Sequence, residues 1–156
     1  MRSKKILVAI LWLILAVAGA ARIEAFTGVR FNVALAALVA LSFFMDVYEA
    51  LFLGIVAILL INWLPVFTLE ILLYPVLAVS VVLIRKIFPF TLWLNAAGAA
   101  FFAVAVFSLL VAYHTALASP GRVIADGLAG AFFAGIVFQS MGWIYHEEHF
   151  YRISLS

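Results

Sequence analysis

Asp46 and Glu49 are the side chains best placed to do chemistry. They lie three residues apart in the stretch 42–65, between long apolar runs, with no basic residue beside them in sequence. Three-residue spacing on a helix puts both carboxylates on one face. A charged carboxylate at the centre of a bilayer costs about 3 kcal/mol on insertion scales. Asp46 and Glu49 therefore either mark where the chain leaves hydrocarbon and turns back, or form a buried polar site. Three roles are open to them: hydrated structural groups at the membrane edge, a proton or cation site, or a docking surface for another chain. Glu70 and Asp126, near the ends of other apolar runs, share these alternatives. A coupled proton site requires the acids to lie deeper, paired or facing a cavity.

The remaining polar residues offer less. Asn62 and Asn95 fall at expected helix ends and Gln139 falls inside the last apolar run, where amides bond between helices for about 0.6–2 kcal/mol. His146, Glu147, Glu148 and His149 suggest a metal, but the histidines are three apart rather than the four of a zinc-protease helix. A solvated helix end accounts for them, and no metal or cofactor is expected. No Ser-His-Asp set, phosphate-binding glycine loop or paired-carboxylate site can be assembled, so the expectation is a protein that is not an enzyme. There are no cysteines, which excludes disulfides and thiolate chemistry.

The elements that position these groups follow from composition. Of 156 residues, 69% are hydrophobic and 10% charged, and the mean hydropathy is +1.31. Soluble domains are about 45–50% apolar and about 25% charged. A water-soluble fold of this size could not hide so much apolar surface, so the expectation is a single all-α integral membrane domain over 1–156. A net charge of +2 is too small to suggest nucleic acid. The lipid bilayer and other membrane proteins are the expected partners.

A spanning helix needs about 20 apolar residues. Six stretches qualify or come close: about 5–22, 31–45, 48–64, 69–85, 89–114 and 122–145. The basic start and the Ala18-Gly19-Ala20 step resemble a signal peptide, but apolar character continues to Ala21 and further spans follow, so the first helix is expected to stay. Five spans are the alternative, because no Gly or Pro punctuates the turn near Asp46. One helix over 31–64 would, however, be about 51 Å long against a hydrocarbon thickness of about 30 Å. With six spans, Arg2, Lys4, Lys5, Arg85, Lys86 and Arg152 share one face, and Arg22, Arg30 and Arg122 the other. The positive-inside rule then puts both termini in the cytoplasm. Trp63, Trp93 and Trp143 fall near span ends, as interfacial tryptophans do.

The last span carries small residues at Gly127, Ala131 and Gly135, with Gly130 and Ala134 on an adjoining stripe. Such rows allow two helix backbones to approach closely, either within the bundle or against another protein.

The stretch from Gly54 to Asn62 resembles a recurring G-x-x-x-G-x-x-x-D helix of the rod-shape-determining MreD family, with Ile58 and Asn62 in place of the second glycine and the aspartate. Asn32-Val33-Ala34-Leu35 is similar to the opening of that family's second helix, without its usual proline. The resemblance implies a non-catalytic bacterial inner-membrane protein of five or six spans. Its implied partners are a bitopic MreC-like protein, the peptidoglycan-elongation machinery and the MreB filaments that set cell shape. The family's bundle is also similar to the six-helix substrate-binding components of vitamin transporters, which supplies the alternative function.

Overall fold

Apolar runs with few breakers satisfy their backbone groups most simply as helices, since hydrocarbon offers no hydrogen bonds. The computed structural model describes residues 2–27, 31–61, 69–87 and 93–145. Among these are seven α-helices and no strand: α1 Arg2–Thr27, α2 Val33–Ser42, α3 Val47–Ile61, α4 Leu69–Ile87, α5 Trp93–Val111, α6 Tyr113–Ala118 and α7 Pro120–Tyr145. Segments Lys5–Phe26, Trp93–Val111 and Pro120–Trp143 are long and apolar enough to cross a membrane. Val33–Ser42, Val47–Ile61 and Leu72–Arg85 are shorter apolar helices. The stretch expected to be one helix over 89–114 is interrupted at Ala112, where no glycine or proline accounts for the break.

α2 is the centre of the bundle. All 10 of its residues are buried, and α1, α3, α4, α5 and α7 pack around it. Its sequence, VALAALVALS, is apolar on every side except at Ser42, as suits a helix with no solvent-facing surface. The Ser42 hydroxyl donates to the Leu38 carbonyl at 2.7 Å, so this polar atom is satisfied inside its own helix. At about 1.5 Å per residue, α2 is only about 15 Å long. It fills the middle of the bundle and leaves room beyond its first turn.

Small residues set the spacing around α2. A Cβ added at Gly130 would lie 3.1 Å from Val104 on α5 and 3.3 Å from Ala36 on α2. One at Gly127 would come within 2.7 Å of the Phe101 ring, and one at Gly135 within 3.4 Å of Trp93. Ala134 is buried and Ala131 half-buried. Gly127, Gly130 and Gly135 of α7 thus face α5, and Gly130 also faces α2, inside the bundle. On the other side, Gly54 of α3 sits against the backbone of Pro75, within α4. Trp12 meets Phe133 edge-on, joining α1 to α7, and Phe43 and Phe44 both meet Phe138. The outer surface is apolar, with Leu7, Leu11, Leu15, Phe102 and Phe132 all exposed, as on a surface solvated by lipid.

Candidate functional site

The polar side chains gather at two opposite ends of the bundle. The first group surrounds the turn from α2 to α3. Residues 43–45 tighten the end of α2 through i→i−3 bonds, with the Phe44 N–H donating to the Leu41 carbonyl at 2.9 Å. Asp46 is the residue before α3, and its carbonyl accepts the first bond of that helix from Ala50 at 2.8 Å. Three residues on, Glu49 turns back and accepts the Asp46 backbone N–H at 3.0 Å through Oε2. This is the carboxylate half of a capping box, in which the third helical residue satisfies an otherwise orphaned donor.

The same Glu49 oxygen receives Lys5 Nζ from α1 at 2.9 Å. The carboxylate is 6% exposed and the lysine 22%, so the pair is largely removed from water. Arg85, at the end of α4, donates from Nη1 to the Phe43 carbonyl and from Nη2 to the Met45 carbonyl, the latter at 3.2 Å. It therefore supplies donors to two carbonyls where the chain leaves α2. Asp46 is exposed and close enough to Arg85 to interact electrostatically. Two segments distant in sequence, α1 through Lys5 and α4 through Arg85, thus hold a turn that lacks glycine and proline.

Arg85→Ala should cost about 2 kcal/mol, since charged hydrogen bonds to two carbonyls are lost. Arg85→Lys should recover only part, because a single ammonium lacks the planar fork that spans both carbonyls. Equilibrium unfolding in mixed micelles measures both, and equal stability of the alanine and lysine variants would remove the fork from the explanation.

The second group lines a cavity of about 270 Å³ beyond the first turn of α2, among the ends of α3, α5 and α7 and the early part of α4. Its wall includes Asn32, Tyr74, Phe107, Ser108, Arg122 and Asp126. Tyr74 and Phe107 form an edge-on pair with centroids 5.4 Å apart. Asn32 precedes α2 and makes no side-chain cap bond to it. Asp126 enters from α7 with Oδ1 buried and without a hydrogen-bond partner. It lies six residues after Pro120, about 9 Å along the helix, and the cavity extends from there to the helix ends at Asn32, Ile61, Ala112 and Ser119.

The candidate residues are therefore divided. Asp46 and Glu49 share one end, whereas Asp126 lies at the other. Gln139 is exposed on α7, because that helix buries Ala134, Val137, Phe138 and Met141 and turns position 139 outward; its amide faces a shallow recess with Ile136, Ser140 and Trp143. Asn62, the Glu70 side chain and 146–149 lie outside the described residues. Among the described residues no group of three or more His, Cys, Asp or Glu side chains could hold a metal ion. Sequence reasoning missed the capping role of Glu49, although the Asp46-x-x-Glu49 spacing before an apolar run is itself the signal. It also treated Lys5 and Arg85 only as markers of topology.

No protein-family model, curated protein or solved structure matches the chain.

Proposed function

We propose that this chain is a non-catalytic, multi-pass subunit of a bacterial inner membrane, with six helical passes and both termini in the cytoplasm, the short α2 making its pass enclosed by the other helices. In this role it acts through helix contacts, in the manner of the MreD family, supporting the machinery of cell shape and peptidoglycan elongation alongside a bitopic MreC-like partner. The observation that carries the proposal is the commitment of both central acids to structural contacts. Glu49 bonds Lys5 and caps α3, while Asp46 begins that helix beside Arg85. A proton or cation site at this position would have to give up those contacts. The burial of α2 on all sides further supports a rigid centre without a path through it. Gly54, the motif position retained from the family resemblance, lies at a close backbone approach to Pro75, which gives it a packing reason in this chain.

Affinity purification from native membranes after mild cross-linking tests the proposal. A single-pass membrane protein with a periplasmic domain should copurify with the full chain. Recovery of the chain without any membrane partner, under conditions that preserve other membrane complexes, would count against it.

The alternative is the substrate-binding component of a small-molecule transporter. The partly polar cavity around Asp126, open at the helix ends, specifically favours it. Ligand-dependent uptake by cells carrying the chain, lost on its deletion, would establish that role in place of the scaffold.

A further inference from the structure

The cavity around Asp126 combines opposite charges with an apolar wall. Arg122 and Asp126 are four residues apart on α7, so they share a face and sense each other's charge. Asp126 Oδ1 is nevertheless without a hydrogen-bond partner inside the protein. Leaving a buried acceptor unsatisfied is costly, and such atoms usually have a partner in protein or ordered water. Ser108 and Asn32 add neutral polar groups, while Tyr74, Phe107 and Ile61 provide an apolar surface. At about 270 Å³, the space is just below the usual range of about 300–1,000 Å³ for small-molecule pockets, so it suits a compact ligand.

We propose that this cavity binds a small zwitterion with an apolar body, of the α-amino-acid class. The ligand's ammonium donates to Asp126 Oδ1, its carboxylate pairs with Arg122, and its side group lies against Tyr74 and Phe107. The buried Asp126 acceptor takes the ammonium, and Arg122, exposed at the open side of the cavity, is placed to meet the carboxylate. The site depends on the cavity and its lining, not on the scaffold role. It deepens the transport alternative and rests on that reading only if bound ligand is also moved.

The test uses the full chain in lipid nanodiscs and three probes that share one branched apolar body. Leucine carries both charges, isopentylamine lacks the carboxylate, and 4-methylpentanoate lacks the ammonium. Calorimetry should show leucine binding at least tenfold more tightly than either relative. Asp126→Asn should lower leucine affinity at least tenfold while leaving that for 4-methylpentanoate within about twofold. Arg122→Gln should do the converse, sparing isopentylamine. Asp126→Asn keeps side-chain size, Arg122→Gln shortens an exposed side chain, and an unchanged helical circular dichroism spectrum confirms folding of both. No binding of any probe to the wild type would mean a merely hydrated cavity and overturn the proposal. Equal binding of all three, or leucine affinity unchanged in Asp126→Asn, would also overturn it. Failure here leaves partner copurification unaffected, so it is distinguishable from failure of the scaffold role. Binding without uptake would keep the site and reject transport.

Discussion

Gly54→Ala should destabilise the bundle by about 3 kcal/mol, the upper end of the usual cost of overpacking. The added Cβ would lie 2.6 Å from Pro75 Cα and 2.9 Å from Pro75 Cβ. Neither atom is the tip of a flexible side chain, so relief requires α3 and α4 to separate. That movement would loosen the packing of α3 on α4, in which Gly54 meets Pro75. The improved helix propensity of alanine returns only about 1 kcal/mol. Gly19→Ala and Gly142→Ala are the controls, because nothing lies within 4 Å of an added Cβ at either position. They should be neutral or stabilising by up to about 1 kcal/mol. Unfolding of the three variants in mixed micelles separates the effects; a Gly54→Ala protein as stable as its controls would show that α3 and α4 do not meet there.

Lys5→Ala should cost a similar amount, about 3 kcal/mol, because breaking a largely buried ion pair leaves a charge in poor solvent. The carboxylate would keep the Asp46 N–H but lose the ammonium at 2.9 Å. Joint replacement, Lys5→Met with Glu49→Gln, should cost much less than Lys5→Ala. The amide oxygen can still accept the Asp46 N–H, and no buried charge remains. A double-mutant cycle built from these substitutions and their single variants should give a coupling of about 1–3 kcal/mol. Coupling near zero would mean that Lys5 is solvated and that Glu49 serves only as a cap.

These expectations also show how far the residues alone disclose the fold. Apolar runs were legible as helices because hydrocarbon leaves the backbone few alternatives. The division near Asp46 was legible from length, since one helix over 31–64 is too long for the membrane. The means of making that turn were not. Its donors come from Arg85, 42 residues beyond Phe43, and Glu49 is joined by Lys5, 44 residues before it. Spacing cannot reveal such partners until the helices are packed. The cap at Asp46 and Glu49 was local and legible, but the same two carboxylates also suggested chemistry. Asp126 was recognisable as an acid near a span end, whereas its unsatisfied oxygen depends on the space left by the short α2. The close packing expected of Gly127, Gly130 and Gly135 was readable from spacing; which neighbours they face depended on the fold.

The proposed arrangement puts the Lys5–Glu49–Arg85 group at the cytoplasmic face of a membrane and the Asp126 cavity towards the other face. Because the natural chain has no cysteine, single substitutions can report sidedness without background. Tyr48, 84% exposed beside the α2–α3 turn, and Gly121, exposed at the start of α7, are the reporters. In intact spheroplasts, a membrane-impermeant maleimide should label Gly121→Cys, and should label Tyr48→Cys only after permeabilisation. Labelling of both from outside, or of Tyr48→Cys alone, would contradict that arrangement.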